Sequence, residues 1–194
     1  MSINYPLSLP TNTRIRSVEF TTINAVTYTR SPFTFAGQAH AYSGQTWLAD
    51  VTLPPMRRSD AEQWIAFLVS LRGQFGTFLL NDPIACNPRG TATTVNITGS
   101  TGDSSVSTTM TGTLLAGDYI QLGSGLNARL HKVLQDQNGS GTLEIWPALR
   151  ADQSNVSADL TSAAGVFRLS SNEQSWSVSE AGIYGLTFGA MEAL

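Results

Sequence analysis

The sequence predicts a mainly β protein built around one principal α-helix. Three observations carry that expectation. Short stretches alternate apolar and polar residues with the period of two that sends side chains to opposite faces of a strand. One stretch, Ser59 to Arg72, repeats apolar residues at helical spacing. Composition agrees: of 194 residues 13% are charged, about half the usual share, and glycines with Thr/Ser-rich turns punctuate the chain.

In chain order, residues 1–13 are interrupted by proline and read as an arm or edge segment. Residues 14–22 alternate as a strand, and 26–30 and 33–35 are two further short β runs, separated by Asn24-Ala25 and Ser31-Pro32. Residues 37–44 read as a loop carrying His40. From Gln45 to Val51 the alternation is clear: Trp47, Ala49 and Val51 share one face, Thr46, Leu48 and Asp50 the other. Pro54-Pro55 ends pairing, because proline has no N–H to donate. A helix over residues 59–72 follows, with Ser59 as N-cap and Glu62 completing a capping box. Ala61, Trp64, Ile65, Leu68 and Leu71 form its apolar face, widened by Phe67 and Val69, and Gly73 stops it. Phe75, Phe78, Leu79 and Leu80 return to β composition and end at Asn81-Asp82-Pro83.

Asn87-Pro88-Arg89-Gly90 has the chemistry of a linker. Beyond it come five short β segments, 91–97, 105–110, 118–122, 128–134 and 142–146, divided by glycine turns. That spacing predicts a small barrel or sandwich. Residues 147–164 are polar and read as a long loop or irregular edge, and 166–170 as the strand that closes the barrel or leaves it. The tail from Glu173 resumes the aromatic alternation of the first region, with Trp176 and Val178 in phase and Tyr184, Leu186 and Phe188 likewise. A tail that supplies the last strand of the first sheet makes residues 1–88 and 167–194 one domain, into which a small β-barrel of residues 89–166 is inserted.

Chemistry-bearing residues do not cluster. The net charge is −3, and the cations are ten Arg and one Lys, Lys132, which gives no basic footprint for nucleic acid. Arg enrichment with Lys depletion is instead the bias of subunit interfaces. The single cysteine, Cys86, allows no internal disulfide and has no base beside it to make a nucleophile. His40 and His131 stand far apart, and no metal-ligand spacing occurs, so neither a metal nor a cofactor is expected. No Gly-x-Ser-x-Gly elbow is present, and the glycines of residues 112–125 lack a phosphate-loop lysine. Glu173 with Glu180 around Trp176, and Asp118 with Asp136, are carboxylate pairs of the kind any acidic protein offers. Trp146 and Tyr119 are candidate glycan-stacking residues, set against the simpler expectation that both fill the barrel core. The N-terminus lacks the basic and apolar regions of a secretory signal, and no run suits a membrane span. A soluble, non-enzymatic protein made in the cytoplasm is the expectation.

The order of three pieces carries a family resemblance: Trp47-Leu-Ala-Asp-Val-Thr-Leu-Pro-Pro-Met, Arg58-Ser-Asp-Ala-Glu-Gln-Trp-Ile-Ala-Phe-Leu, and Leu71-Arg-Gly-Gln-Phe-Gly-Thr-Phe-Leu-Leu-Asn-Asp-Pro. Together they resemble the distal tail, or tail-tip hub, proteins of long-tailed bacteriophages. Ala116-Gly-Asp-Tyr-Ile-Gln, Arg129-Leu-His-Lys-Val and Ile145-Trp-Pro-Ala-Leu-Arg resemble the inserted barrel of that group, so the likeness covers roughly residues 40–150. It implies a ring domain of tail-tube-like β-sandwich fold with a flanking helix. It also implies a virion location in the tail, and self-association into a ring, usually a hexamer, that joins the tail tube to the adsorption apparatus. Tail-tube and hub proteins are the implied partners. A carbohydrate-binding module for host-surface glycans is the alternative.

Overall fold

The computed structural model describes residues 3–12, 14–85 and 87–194. Cys86 lies outside the described residues. The strands are β1 (Ser17–Arg30), β2 (Gly37–Thr52), β3 (Met56–Arg57), β4 (Thr77–Asn81), β5 (Thr94–Gly99), β6 (Ser105–Thr111), β7 (Thr113–Leu114), β8 (Tyr119–Leu122), β9 (Arg129–Val133), β10 (Gln137–Asn138), β11 (Gly141–Trp146), β12 (Gln153–Ser157), β13 (Ala164–Leu169), β14 (Trp176–Val178) and β15 (Ile183–Glu192), and the helix α1 spans Arg58–Ser70. The protein is mainly β, antiparallel, with one α-helix among the described residues.

A first sheet runs in the order β1-β2-β15-β13-β4, with β14 and β3 paired to the leading half of β15. One of its faces is apolar. Trp47, Ala49, Val51, Phe78, Leu80, Phe167, Leu169, Phe188 and Ala190 are all buried. Their cross-strand partnering (Val51 with Phe188, Ala49 with Ala190, Phe167 with Phe78) puts them on the same side. The alternation read from residues 45–51 is therefore the register of the core.

α1 covers one end of this face. Ala61, Trp64, Phe67, Leu68 and Leu71 are buried, while Ile65 is half-buried and Val69 exposed. Trp64 lies 6.3 Å from Phe188, and Phe67 packs edge-to-face on Phe78 at 5.6 Å. The expected capping box does not form. β3 pairs with β15 through Met56 and Arg57, so the chain passes from strand to helix with Arg57 at the N-cap and no side-chain cap. Ser59 is thereby inside the first turn, and Glu62 pairs with Arg58 at 3.1 Å on the exposed side instead. The C-terminus stops as expected, with Arg72 and Gly73 both in the left-handed region at φ 53° and 68°.

Between β4 and β13, which pair with each other from Asn81 with Ala164 to Thr77 with Arg168, the chain builds a second sheet ordered β12-β5-β6-β11-β9-β8. Its two ends meet. Just beyond β12, Asp159 exchanges both backbone hydrogen bonds with Gln121 of β8 at 2.9 Å, which curls the sheet around Val95, Ile97, Val106, Ile120, Leu122, Leu143 and Ile145. The short pair β7–β10 lies alongside. Residues 153–157 are thus a strand rather than part of a long loop. The residues 164–166 belong to the first sheet through β13.

The largest departure lies near the N-terminus. Residues 17–30 are one continuous strand, and 37–44 belong to β2 rather than to a loop; β1 and β2 pair from Ser17 with Thr52 to Arg30 with Gly37. Residues 33–35 sit in the connecting turn, closed by Ser31 N–H donating to Ala36 O at 2.9 Å, with Arg30 stacked 4.6 Å over Phe35. The two apparent breaks have local causes. Tyr42-Ser-Gly of β2 bulges opposite the single residue Ala25 of β1, and Ser31-Pro32 opens the hairpin turn.

Candidate functional site

Two features stand out. The first is the outer part of the β1–β2 hairpin. Thr21 to Arg30 and Gly37 to Gly44 are exposed along their whole length, and the part from Ala25 to Arg30 with its partner strand, roughly 20 Å at strand rise, extends past the core. Register makes the distal ribbon amphipathic: Val26 faces Ala41 and Tyr28 faces Ala39 on one side, Thr27 faces His40 and Thr29 faces Gln38 on the other. Val26 is 54% and Tyr28 63% exposed, so the apolar side is uncovered. β1 is the terminal strand of its sheet, and β2 meets β15 only over Leu48–Thr52, so both backbone edges of the ribbon are open. Arg30 is the one charged side chain from residue 20 to 49, apart from the titratable His40. Natural edge strands are usually blocked by charge or proline, and this one is not.

The second feature is the junction where the second sheet packs on the remaining apolar face of the first. Trp47 donates its indole N–H to Leu130 O at 3.0 Å and meets Trp146 edge-to-face at 4.5 Å. Trp146 in turn donates to Asn24 Oδ1 at 2.7 Å, at the root of the ribbon. Ala148 N–H donates to Gln45 Oε1 at 2.7 Å. Arg150 donates to Gln45 O at 2.6 Å and to Glu192 at 2.9 Å, with the two side chains only 19% and 3% exposed. Gly165 lets the two sheets approach closely here: a Cβ on it would stand 3.0 Å from Leu130 Cβ. At the other crossing, buried Asp118 accepts the N–H groups of Arg89, Gly90 and Leu115 and pairs with the Arg89 guanidinium at 3.4 Å. His131 lies inside the junction, its Nδ1 2.7 Å from Pro147 O. A carbonyl only accepts, so Nδ1 carries the proton. Burial above all, then Arg150 and Arg129, push the ring down to about 4, against that hydrogen bond.

The candidate stacking residues from the sequence both lie in this junction. Tyr119 is buried in the shared core with Lys132 Nζ 4.3 Å above its ring, and Trp146 is half-buried and held by Trp47 and Asn24. Neither fills the interior of the second sheet: both pack on the core of the first. His40 sits on the ribbon 4.7 Å from Tyr42, remote in sequence and sheet from His131. Asp118 and Asp136 are taken up by backbone amides, Asp136 by that of Ala116 at 2.7 Å, while Glu173 and Glu180 are exposed. Among the described residues no three His, Cys, Asp or Glu side chains are placed to hold a metal. No helix among them is long and apolar enough to cross a membrane.

Sequence reasoning missed Asn24, Gln45, Arg150 and Glu192. Each is a single polar residue, and no spacing rule marks such a residue as the partner of another 42 to 122 positions away.

The class so defined is an antiparallel β protein with a second curled sheet locked onto the first and an uncovered amphipathic ribbon. The chain matches no protein-family model, and no curated protein is significantly similar to it.

Proposed function

We propose that the chain is a structural, ring-forming subunit of a bacteriophage tail tip, a distal tail protein that joins the tail tube to the adsorption apparatus and performs no catalysis. The observation that carries the reading is the ribbon. A two-stranded hairpin is marginal in water by itself, and one with an apolar side and two unblocked edges calls for a cover. A second copy of the chain supplies that cover in a cyclic assembly, because each copy then gives its ribbon to one neighbour and receives one from the other, with no edge left over. The sequence resemblance adds the tail context, and with it a hexamer as the expected ring, the tube and hub proteins as partners, and the virion tail as location. In this reading the first sheet and α1 are the tail-tube-like ring domain, and residues between β4 and β13 are the inserted barrel turned outward. The alternative of a glycan-stacking module on Trp146 and Tyr119 has less support, since both rings are already engaged.

Sedimentation and negative-stain imaging test it. Closed rings with a central channel are expected from the wild-type chain. Val26→Asp with Tyr28→Asp should yield monomers with unchanged circular dichroism. A wild-type chain that stays monomeric at every concentration, alone and with tail-tube protein added, overturns the proposal.

A further inference from the structure

A cavity of ≈ 460 Å³ opens beside the junction, and its polar lining consists of Asn127, Arg129, His131, Arg150 and Gln153. No aspartate or glutamate lines it. Arg129 uses a single nitrogen, Nη1, on Leu126 O and Ala128 O at 3.2 Å each, so its Nε and Nη2 have no partner among the described residues. Burial pushes this guanidinium below its ordinary value, the nearby Glu192 opposes that, and Arg150 adds to it. Arg150 is neutralised by Glu192. Two arginines against one glutamate leave one positive charge, and His131 adds none near neutral pH because its ring is uncharged there. A half-desolvated guanidinium with free donors, in a cavity lined by amides with its nearest carboxylate, Glu192, already paired to Arg150, is matched by a planar or tetrahedral oxyanion carrying one negative charge. The size falls in the range of small-molecule sites.

We propose that this cavity binds a monoanionic oxyanion group, a carboxylate or a phosphodiester, through Arg129, with Arg150, Asn127 and Gln153 around it. Such a group occurs in acidic sugars and in phosphodiester-linked surface polymers. The shared chemistry is the single charge and the paired acceptor oxygens. The site does not depend on ring formation.

The test is NMR titration of the full chain with sodium glucuronate and with dimethyl phosphate, against glucose and sodium chloride as controls. Saturable shifts confined to residues around Arg129 are expected for the oxyanions and not for the controls. Binding of glucuronate alone identifies a carboxylate ligand, and of dimethyl phosphate alone a phosphodiester; either supports the site. Arg129→Gln should weaken binding at least about tenfold with the melting temperature unchanged. Gln153→Glu, on the rim, should abolish it by placing a carboxylate in the cavity, and serves if Arg129→Gln fails to fold. No saturable shift with either anion, or equal binding by wild type and both variants, overturns the proposal.

Discussion

His131 gives a quantitative test of how the junction is held. Its side chain is 1% exposed, its Nδ1 donates to Pro147 O, and Arg129 and Arg150 stand near it, so the proton that would charge the ring is bound only at about pH 4 in the folded protein. The unfolded ring takes that proton at about 6.5. Between those values the unfolded chain binds more protons than the folded one, so stability rises with pH through the window. The contribution is complete above about 6.5 and is lost as pH falls toward 4. At about 1.4 kcal/mol per pH unit, the interval amounts to roughly 3 kcal/mol. Carboxylates titrate in part of the same range, so the measurement must be a difference. His131→Asn places an amide donor where Nδ1–H stood and cannot titrate. Urea unfolding followed by circular dichroism at pH 7.5, 6.5, 5.5 and 4.5 gives both curves. Wild type minus variant should be flat at the two upper points and fall by roughly 3 kcal/mol toward pH 4. Parallel curves would mean that the ring is solvated or protonated in the folded state, and the account of the junction would fail.

Two further measurements probe the core and the lock. Trp64 is fully buried and its Nε1 has no hydrogen-bond partner among the described residues, so Trp64→Ala should cost about 3 kcal/mol in urea unfolding, while Trp64→Phe, which also removes the unsatisfied donor, should cost about 1 kcal/mol or less. If phenylalanine proves as damaging as alanine, the indole N–H has a partner. Glu192→Gln leaves Arg150 buried against a neutral amide and should cost about 3 kcal/mol, whereas the paired change Arg150→Met with Glu192→Leu should cost clearly less; equal losses would show that packing rather than charge governs the site.

How much of this was legible in the sequence follows from how local each signal is. The face of Trp47, Ala49 and Val51 and the buried side of α1 were legible because burial repeats with the period of the element. The capping box was misread because the N-cap position was decided by Met56 and Arg57 pairing with β15, a partner more than a hundred residues away. The ribbon was read as fragments and a loop for a different reason. Its polar side is threonine and glutamine rather than charge, its apolar side includes alanine, and the Tyr42-Ser-Gly bulge of β2 interrupts the pairing opposite Ala25, so the period-two signal is weak. The junction left no trace, since Asn24, Gln45, Arg150 and Glu192 acquire their meaning only from contacts between distant strands.

The pairing of Asn81 with Ala164 means that the chain leaves the first sheet and returns to it at neighbouring points. A tight turn would therefore suffice to bridge the gap, and in that respect the curled sheet resembles a removable cartridge. Its removal would nevertheless strip the cover from Trp47, because Leu130, Tyr119 and Trp146 all come from the cartridge. Any replacement arising by recombination is thus constrained along the junction: it is free in its outer loops and obliged to bring both a greasy lid for Trp47 and a cation for the buried Glu192.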